Sequence, residues 1–252
     1  MKIVLSLNNQ ERLYDYISMG IDTFILGGQY SFHCPYVFSL DDMTKIIGNY
    51  PEQIFYVSMN ALYDQYMMSE VEGYIEQLSQ LPIQGIIFQD FGVLQIVKER
   101  GYTFDMMYAP ETLNTNAMTL NVLQEQGVTS AFLSRVIPLD EQCQIAQEVH
   151  IPVMLQGHGV EYIAASKRAL LSNYKEASGL NLDISQNNDF KLLAKNSDYV
   201  FNIFEDAMGT HIFSETRLYT LDLLNQIHGF DYLYIETLMM NEEEAVEIAS
   251  LY

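Results

Sequence analysis

The stretch GIIFQDFGVLQIVKERGYTFDMMY, residues 85–108, holds the repeating element of the chain in one piece. A short, near-continuous apolar run at 85–88 precedes a longer amphipathic segment at 91–100, and a second strand-like run follows at 103–108. A near-continuous apolar strand suits a parallel sheet covered on both faces, and strand–helix–strand order needs a crossover between parallel neighbours. The same beat recurs about every 25 residues in both directions. Strands are expected at 3–7, 23–26, 54–59, 85–88, 103–108, 130–133, 152–155 and 232–235. Helices are expected at 9–19, 40–49, 66–80, 91–100, 115–126, 139–148, 216–228 and 241–251, with Ser39, Asn114 and Asp140 as capping residues. Eight βα units in 252 residues predict an α/β fold, a TIM-like (β/α)8 barrel forming a single domain over 1–252. An open doubly wound sheet is the rival. Its dinucleotide-binding version has no support, because no G-x-G-x-x-G follows the first strand.

The beat breaks once. About 60 residues separate the seventh strand from the helix expected at 216, far more than an ordinary βα loop. Here lie a helix-like piece at 161–173, a polar stretch at 180–189, and two alternating runs, 199–204 and 210–213, that read as a hairpin turning at Met208-Gly209. The segment 160–215 is therefore expected as an insertion between strand 7 and helix 7, on the C-terminal face of the barrel, where such folds build their sites.

Composition narrows the function. Hydrophobic residues make up 49% and aromatic residues 12%, which excludes general disorder. Twelve Lys+Arg against 33 Asp+Glu give a formal net charge of −21, which repels polyanions such as RNA and anionic membranes. The exception is residues 167–195, where Lys167, Arg168, Lys175, Lys191 and Lys195 face only Glu176, Asp183 and Asp189; this stretch is +2 and the remainder −23. The two cysteines, Cys34 and Cys143, exclude a disulfide framework, and neither stands beside a candidate base in the sequence. The N-terminus MKIVLSLNNQ reads as neither signal peptide nor membrane anchor, so a cytoplasmic location is expected.

In a barrel the residues just past each strand converge on one rim. Their polar members are Asn60, Gln89, Asp90, Glu111, Arg135, Gln156, His158 and Glu236. Arg135 follows an apolar strand in an arginine-poor chain and suits a carboxylate or phosphate; a salt bridge to Glu111 or Asp90 is the structural alternative. His158 lies between Gly157 and Gly159, where a ligand can approach its imidazole closely. In EDAMGTHIF, Glu205, Asp206 and His211 flank a turn and suit proton transfer, with a divalent metal as the alternative.

The residues resemble the U32 peptidase-like proteins. The likeness runs through GIDTFILGG (20–28), FYVSMNALY (55–63), GIIFQDFGVLQIVKERG (85–101), SAFLSRVIPLDE (130–141), GHGVEYIAASKRALLSNY (157–174), FEDAMGTHIFSETRL (204–218) and DYLYIETLMM (231–240). Within the family the chain looks most like the shorter partner proteins that accompany a longer paralogue. The resemblance implies a part in 5-hydroxylation of the tRNA wobble uridine, with a small carboxylate bound and tRNA held only through the partner. It places His158, Lys167, Arg168, Ser172, Asn173, Tyr174, Glu205, Asp206, His211 and Glu236 in family motifs at the rim. Many members hold an iron–sulfur cluster on four cysteines; here Tyr162 and Ala169 stand at two of those positions, so no such cluster is expected.

The expected catalytic residues are accordingly His158, His211, Glu205 and Glu236. Arg135, Lys167, Arg168, Asn60, Glu111 and Asn173 are expected to bind substrate, and no metal ligand is assigned. Two other functions stay open: a peptidase, which the family name implies although no G-x-S-x-G elbow, H-E-x-x-H or other nucleophile or metal set is identified, and a non-catalytic scaffold subunit, which the missing cysteines favour.

Overall fold

The computed structural model describes residues 1–184, 190–193, 195 and 198–252. Residues 185–189 of the expected polar stretch lie outside the described residues. The strands are β1 (Lys2–Ser6), β2 (Thr23–Gly27), β3 (Ile54–Met59), β4 (Gly85–Phe88), β5 (Asp105–Tyr108), β6 (Ser130–Phe132), β7 (Val153–Ser166), β8 (Lys191–Leu193), β9 (Val200–Asp206), β10 (Gly209–Tyr219) and β11 (Tyr232–Ile235). The helices are α1 (Leu13–Ser18), α2 (Leu40–Asn49), α3 (Met68–Leu78), α4 (Phe91–Arg100), α5 (Ala117–Glu125), α6 (Leu139–Glu148), α7 (Leu170–Ser178) and α8 (Glu242–Leu251). Two compact units result, residues 1–158 with 219–252, and residues 159–218.

The first unit is the expected barrel. Strands β1 to β7 pair in parallel sequence order, and β11 closes the ring by pairing with both β1 and β7. Alternation along each strand sends one set of side chains inward. Val4, Ile25, Tyr56, Ile87, Met107, Ala109, Met154 and Tyr234 form that inner cluster. The other set faces the helices; Phe24 and Phe55, adjacent on β2 and β3, sit 6.0 Å apart between ring centroids. Burying each such aromatic side chain contributes about 1.5–3 kcal/mol.

Sequence-expected boundaries hold where local signals dominate. Ser39 caps α2 in a full capping box with Asp42. Two other expected caps move. Asn116, not Asn114, accepts from Thr119 N at the start of α5, and Pro138 stands at the cap position of α6, leaving Asp140 in its first turn. The helix expected at 216–228 is absent: β10 runs to Tyr219, and only a 3-10 turn, Leu221–Leu223, follows. Thr220 accounts for this, since its N–H and hydroxyl both bond the Gly157 carbonyl, at 3.1 and 2.9 Å, and hold the chain extended up to that point. After the inserted segment the chain therefore reaches β11 through the 3-10 turn alone, with no α-helix between β10 and β11 to restore the beat.

In the second unit the helix expected at 161–173 is also displaced. β7 continues as strand to Ser166, with Glu161 N donating to Ser214 Oγ, and α7 begins only at Leu170. The hairpin is as expected, β9 and β10 pairing antiparallel from Asp206↔Gly209 to Phe201↔Ser214. Among the described residues no helix is long and apolar enough to cross a membrane.

Candidate functional site

Within the barrel unit the polar residues of the C-terminal mouth fall into two groups joined by one ring. In the first, Glu111 accepts from Arg135 Nη1 at 2.6 Å on one carboxylate oxygen and meets His33 Nε2 at 2.9 Å on the other. All three side chains are nearly enclosed, at 8%, 14% and 6% exposure respectively. Burial alone would raise the Glu111 carboxyl, but the Arg135 guanidinium and His33 outweigh it and hold the group at about 2. Both His33 (φ +45°) and Glu111 (φ +62°) occupy the left-handed region, which non-glycine residues seldom adopt.

In the second group Glu236, at the end of β11, accepts from Ser6 Oγ at 2.8 Å, Tyr234 Oη at 2.7 Å and Leu238 N at 2.9 Å. Burial and the neighbouring carboxylate raise the Tyr234 phenol well above its ordinary range, so it stays a donor. Phe132 connects the groups: Tyr234 stands edge-on to it at 5.3 Å, and the Arg135 guanidinium carbon lies 5.3 Å from its centroid. Arg135 Nε is buried and has no hydrogen-bond partner among the described residues, nor has the buried Oδ1 of Asn114, whose backbone carbonyl takes Ser134 N. A planar cation fixed at one end and stacked on a ring is suited to a carboxylate or other small oxyanion.

Other expected rim residues serve the frame. Asn60 Oδ1 accepts from Phe32 N and Ser58 Oγ, both at 2.9 Å, and thereby anchors the loop that carries His33; Gln89 in turn donates to the Asn60 carbonyl. Asp90 caps α4 through Gly92 N at 2.8 Å and takes Tyr63 N at 3.1 Å.

His158 stands elsewhere. Register shifts on β7, so that Tyr234 pairs with Gln156 but Ile235 pairs with His158, and Gly157 is the extra residue of a bulge. Paired residues of neighbouring strands share a face, so His158 follows the outward Ile235 rather than the inward Gln156. Its ring packs edge-on against Tyr219 and Tyr252, each 5.9 Å away, in the layer outside the wall.

In the second unit the two family motifs meet in one structural joint. Glu205 on β9 accepts from Leu171 N at 2.8 Å, Ser172 N at 3.3 Å, the Ser172 hydroxyl and Thr210 Oγ1 at 3.2 Å. It thus satisfies the exposed donors at the start of α7, where the helix dipole also favours an anion. Burial raises the Glu205 carboxyl, but the Ser172, Leu171 and Thr210 donors prevail and lower it. His211 is fully buried, its Nε2 2.7 Å from Asp206 Oδ1 and its ring 4.8 Å from that of Phe204. Lys167, Arg168 and Asn173 are exposed.

Among the described residues no three His, Cys, Asp or Glu side chains gather around one point to hold a metal. At the two positions where the resemblance implies cluster cysteines, Tyr162 lies edge-on to Phe213 at 6.1 Å and Ala169 stands at the cap of α7. The chain's two cysteines sit apart, Cys34 after β2 and the buried Cys143 on α6, which meets the Gln226 carbonyl.

Sequence reasoning missed His33, Ser6, Tyr234 and Phe132. One signal was available for His33: the connection from β2 to α2 is long and rich in aromatic residues, QYSFHCPYVFS, where a short polar turn is usual.

The sequence profile of the family described as Peptidase family U32 matches residues 8–252. The "tRNA hydroxylation protein P2" of Bacillus subtilis is 28% identical over 244 residues, covering 94% of this chain and 79% of that protein. The "tRNA hydroxylation protein P" of Haemophilus influenzae is 26% identical over 121 residues, 48% of this chain but 26% of that much longer protein. Among solved structures, 3-hexulose-6-phosphate synthase superposes with a TM-score of 0.53 at 8% identity, over 100% of this chain and 97% of that one, a likeness of fold alone.

Proposed function

Because the chain belongs to peptidase family U32, we propose that it takes part in 5-hydroxylation of the tRNA wobble uridine, beside a longer chain of the same family. The observation that carries this reading is the alignment with the Bacillus subtilis P2 protein along 94% of the chain. The names P and P2, borne by a longer and a shorter relative, support a paired system. With a net charge of −21 and a single +2 stretch, this chain is read as a cytoplasmic partner that reaches tRNA through the longer one. Arg135, held by Glu111 and stacked on Phe132, is read as the clamp for a small carboxylate at the barrel mouth. Tyr234, which donates to Glu236 at 2.7 Å, stands edge-on to the same Phe132 ring, and the chain is read as binding no iron–sulfur cluster.

Deleting the coding sequence and measuring tRNA nucleosides by mass spectrometry tests the reading. Nucleosides derived from 5-hydroxyuridine should fall, and unchanged levels would refute it. Co-purification of the longer paralogue is the second expected result. A non-catalytic binding subunit is the alternative that Tyr162 and Ala169, in place of cysteines, favour. Complementation with Arg135→Lys separates the two: lost nucleoside formation with the partner still bound supports an active site here, and full activity supports the scaffold.

A further inference from the structure

His33 is a deeply enclosed polar residue of the barrel mouth for which nothing above assigns a role. It reaches Glu111 across 78 residues of sequence, from a loop whose path is fixed by Asn60 holding Phe32 N. The Phe32 ring then lies 4.2 Å from the His33 ring, edge-on, so the imidazole is confined both along its own chain and by its partner.

We propose that the His33–Glu111 pair is a positioning device that sets the direction of the Arg135 guanidinium, and with it the affinity of the mouth for a small carboxylate. The inference rests on the reading of Arg135 as the anion clamp. A carboxylate bonded at one oxygen can still rotate about its last torsion. Bonded at both, to His33 Nε2 at 2.9 Å and Arg135 Nη1 at 2.6 Å, it is held in one plane. The guanidinium is then fixed by Glu111 at one end and by the Phe132 ring, with its Nε enclosed, which leaves its remaining, partly exposed edge with a single orientation. The left-handed backbone at both His33 and Glu111 places the cost of this geometry in the two residues that impose it. His33 is a positioning residue: it acts through Glu111 and need not touch the ligand.

The test uses the full chain and malonate as probe, with affinity measured by calorimetry and folding checked by melting temperature. Wild type should bind, and Arg135→Lys, which keeps the charge but loses the planar fork, should bind far more weakly. His33→Ala should weaken binding roughly tenfold or more, whereas His33→Gln, whose amide can restore the donor to Glu111, should recover most of it. That recovery is what a merely structural role would not produce. If His33→Ala binds malonate as wild type does while Arg135→Lys does not, the positioning role is overturned and the clamp stands. If wild type fails to bind, or Arg135→Lys binds unchanged, the clamp itself falls and the positioning role with it. Should His33→Ala not fold, His33→Gln against His33→Phe decides the matter by the same comparison.

Discussion

Replacing Arg135 with Met costs the chain about 3–5 kcal/mol of folding stability, the loss typical of a buried ion pair stripped of one partner. At this chain length that lowers the melting temperature by roughly 10 °C. The cause is the carboxylate left behind. Glu111 is only 8% exposed, and its ionised form depends on Arg135 and His33 to offset burial. The double variant Arg135→Met with Glu111→Gln should recover much of the loss, because the uncompensated charge goes with its partner. Acid gives an independent check. Glu111 sits at about 2 in the folded chain against an ordinary 4.5. Its folded value is depressed, so its contribution is fully present above 4.5 and drains away as the pH falls from 4.5 towards 2. The shift corresponds to about 3 kcal/mol. Urea titrations across that window should show a steeper loss in wild type than in Glu111→Gln. Equal slopes, or an Arg135→Met protein that melts within a degree or two of wild type, would contradict the ion-pair account.

Gly209→Ala should open the second unit. The residue lies at φ +130°, where a side chain is strained in any surroundings, and a Cβ there would overlap the Ser166 carbonyl oxygen. The turn it forms sets the register Asp206↔Gly209 and Glu205↔Thr210, and that register brings Thr210 Oγ1 to the Arg168 carbonyl at 2.8 Å and within reach of Leu170 N. Losing it disconnects α7 from its carboxylate cap. We expect a loss of roughly 2–4 kcal/mol, read as faster hydrogen exchange across residues 200–218 and 170–178. Gly48→Ala is the control: Gly48 is inside α2, meets nothing within 4 Å, and should gain about 0.5–1 kcal/mol. Native protection in Gly209→Ala would show that the backbone can shift and that the turn is not a constraint.

The barrel was legible because its signals are local. The unit at residues 85–108 contains a strand and a helix whose bounds fall where the pattern puts them, and the closing strand at 232–235 reads equally well. The failures share a cause in distant partners. Residues 216–219 have helical periodicity but are extended because β10 continues past its turn and Thr220 bonds Gly157, 63 residues back. His158 reads as a rim residue by counting from the strand start. A single-residue bulge reverses its side, and Gly157 carries no mark of which register it will take. Glu205 looked like a member of an acid–histidine constellation, yet its oxygens face donors on α7, about 33 residues earlier. Arg135 with Glu111 was readable as a pair, and the third member, His33, was not, since only the closed ring brings the two loops together.

Ring closure also sets the order in which the barrel is made. Lys2 pairs with Tyr232 and Met154 pairs with the same residue, so β1 and β7 both wait for a strand that leaves the ribosome after the whole 159–218 segment. At ordinary elongation rates that interval is about 4–15 s. Throughout it the nascent chain presents β1, and the part of β7 from Met154 to His158, without their β11 partner, and open strand edges are the feature most prone to sticking to other chains. Any nonsense or frameshift lesion before residue 232 leaves those edges open for good, so its product should be found in inclusion bodies or with chaperones rather than as a shortened barrel.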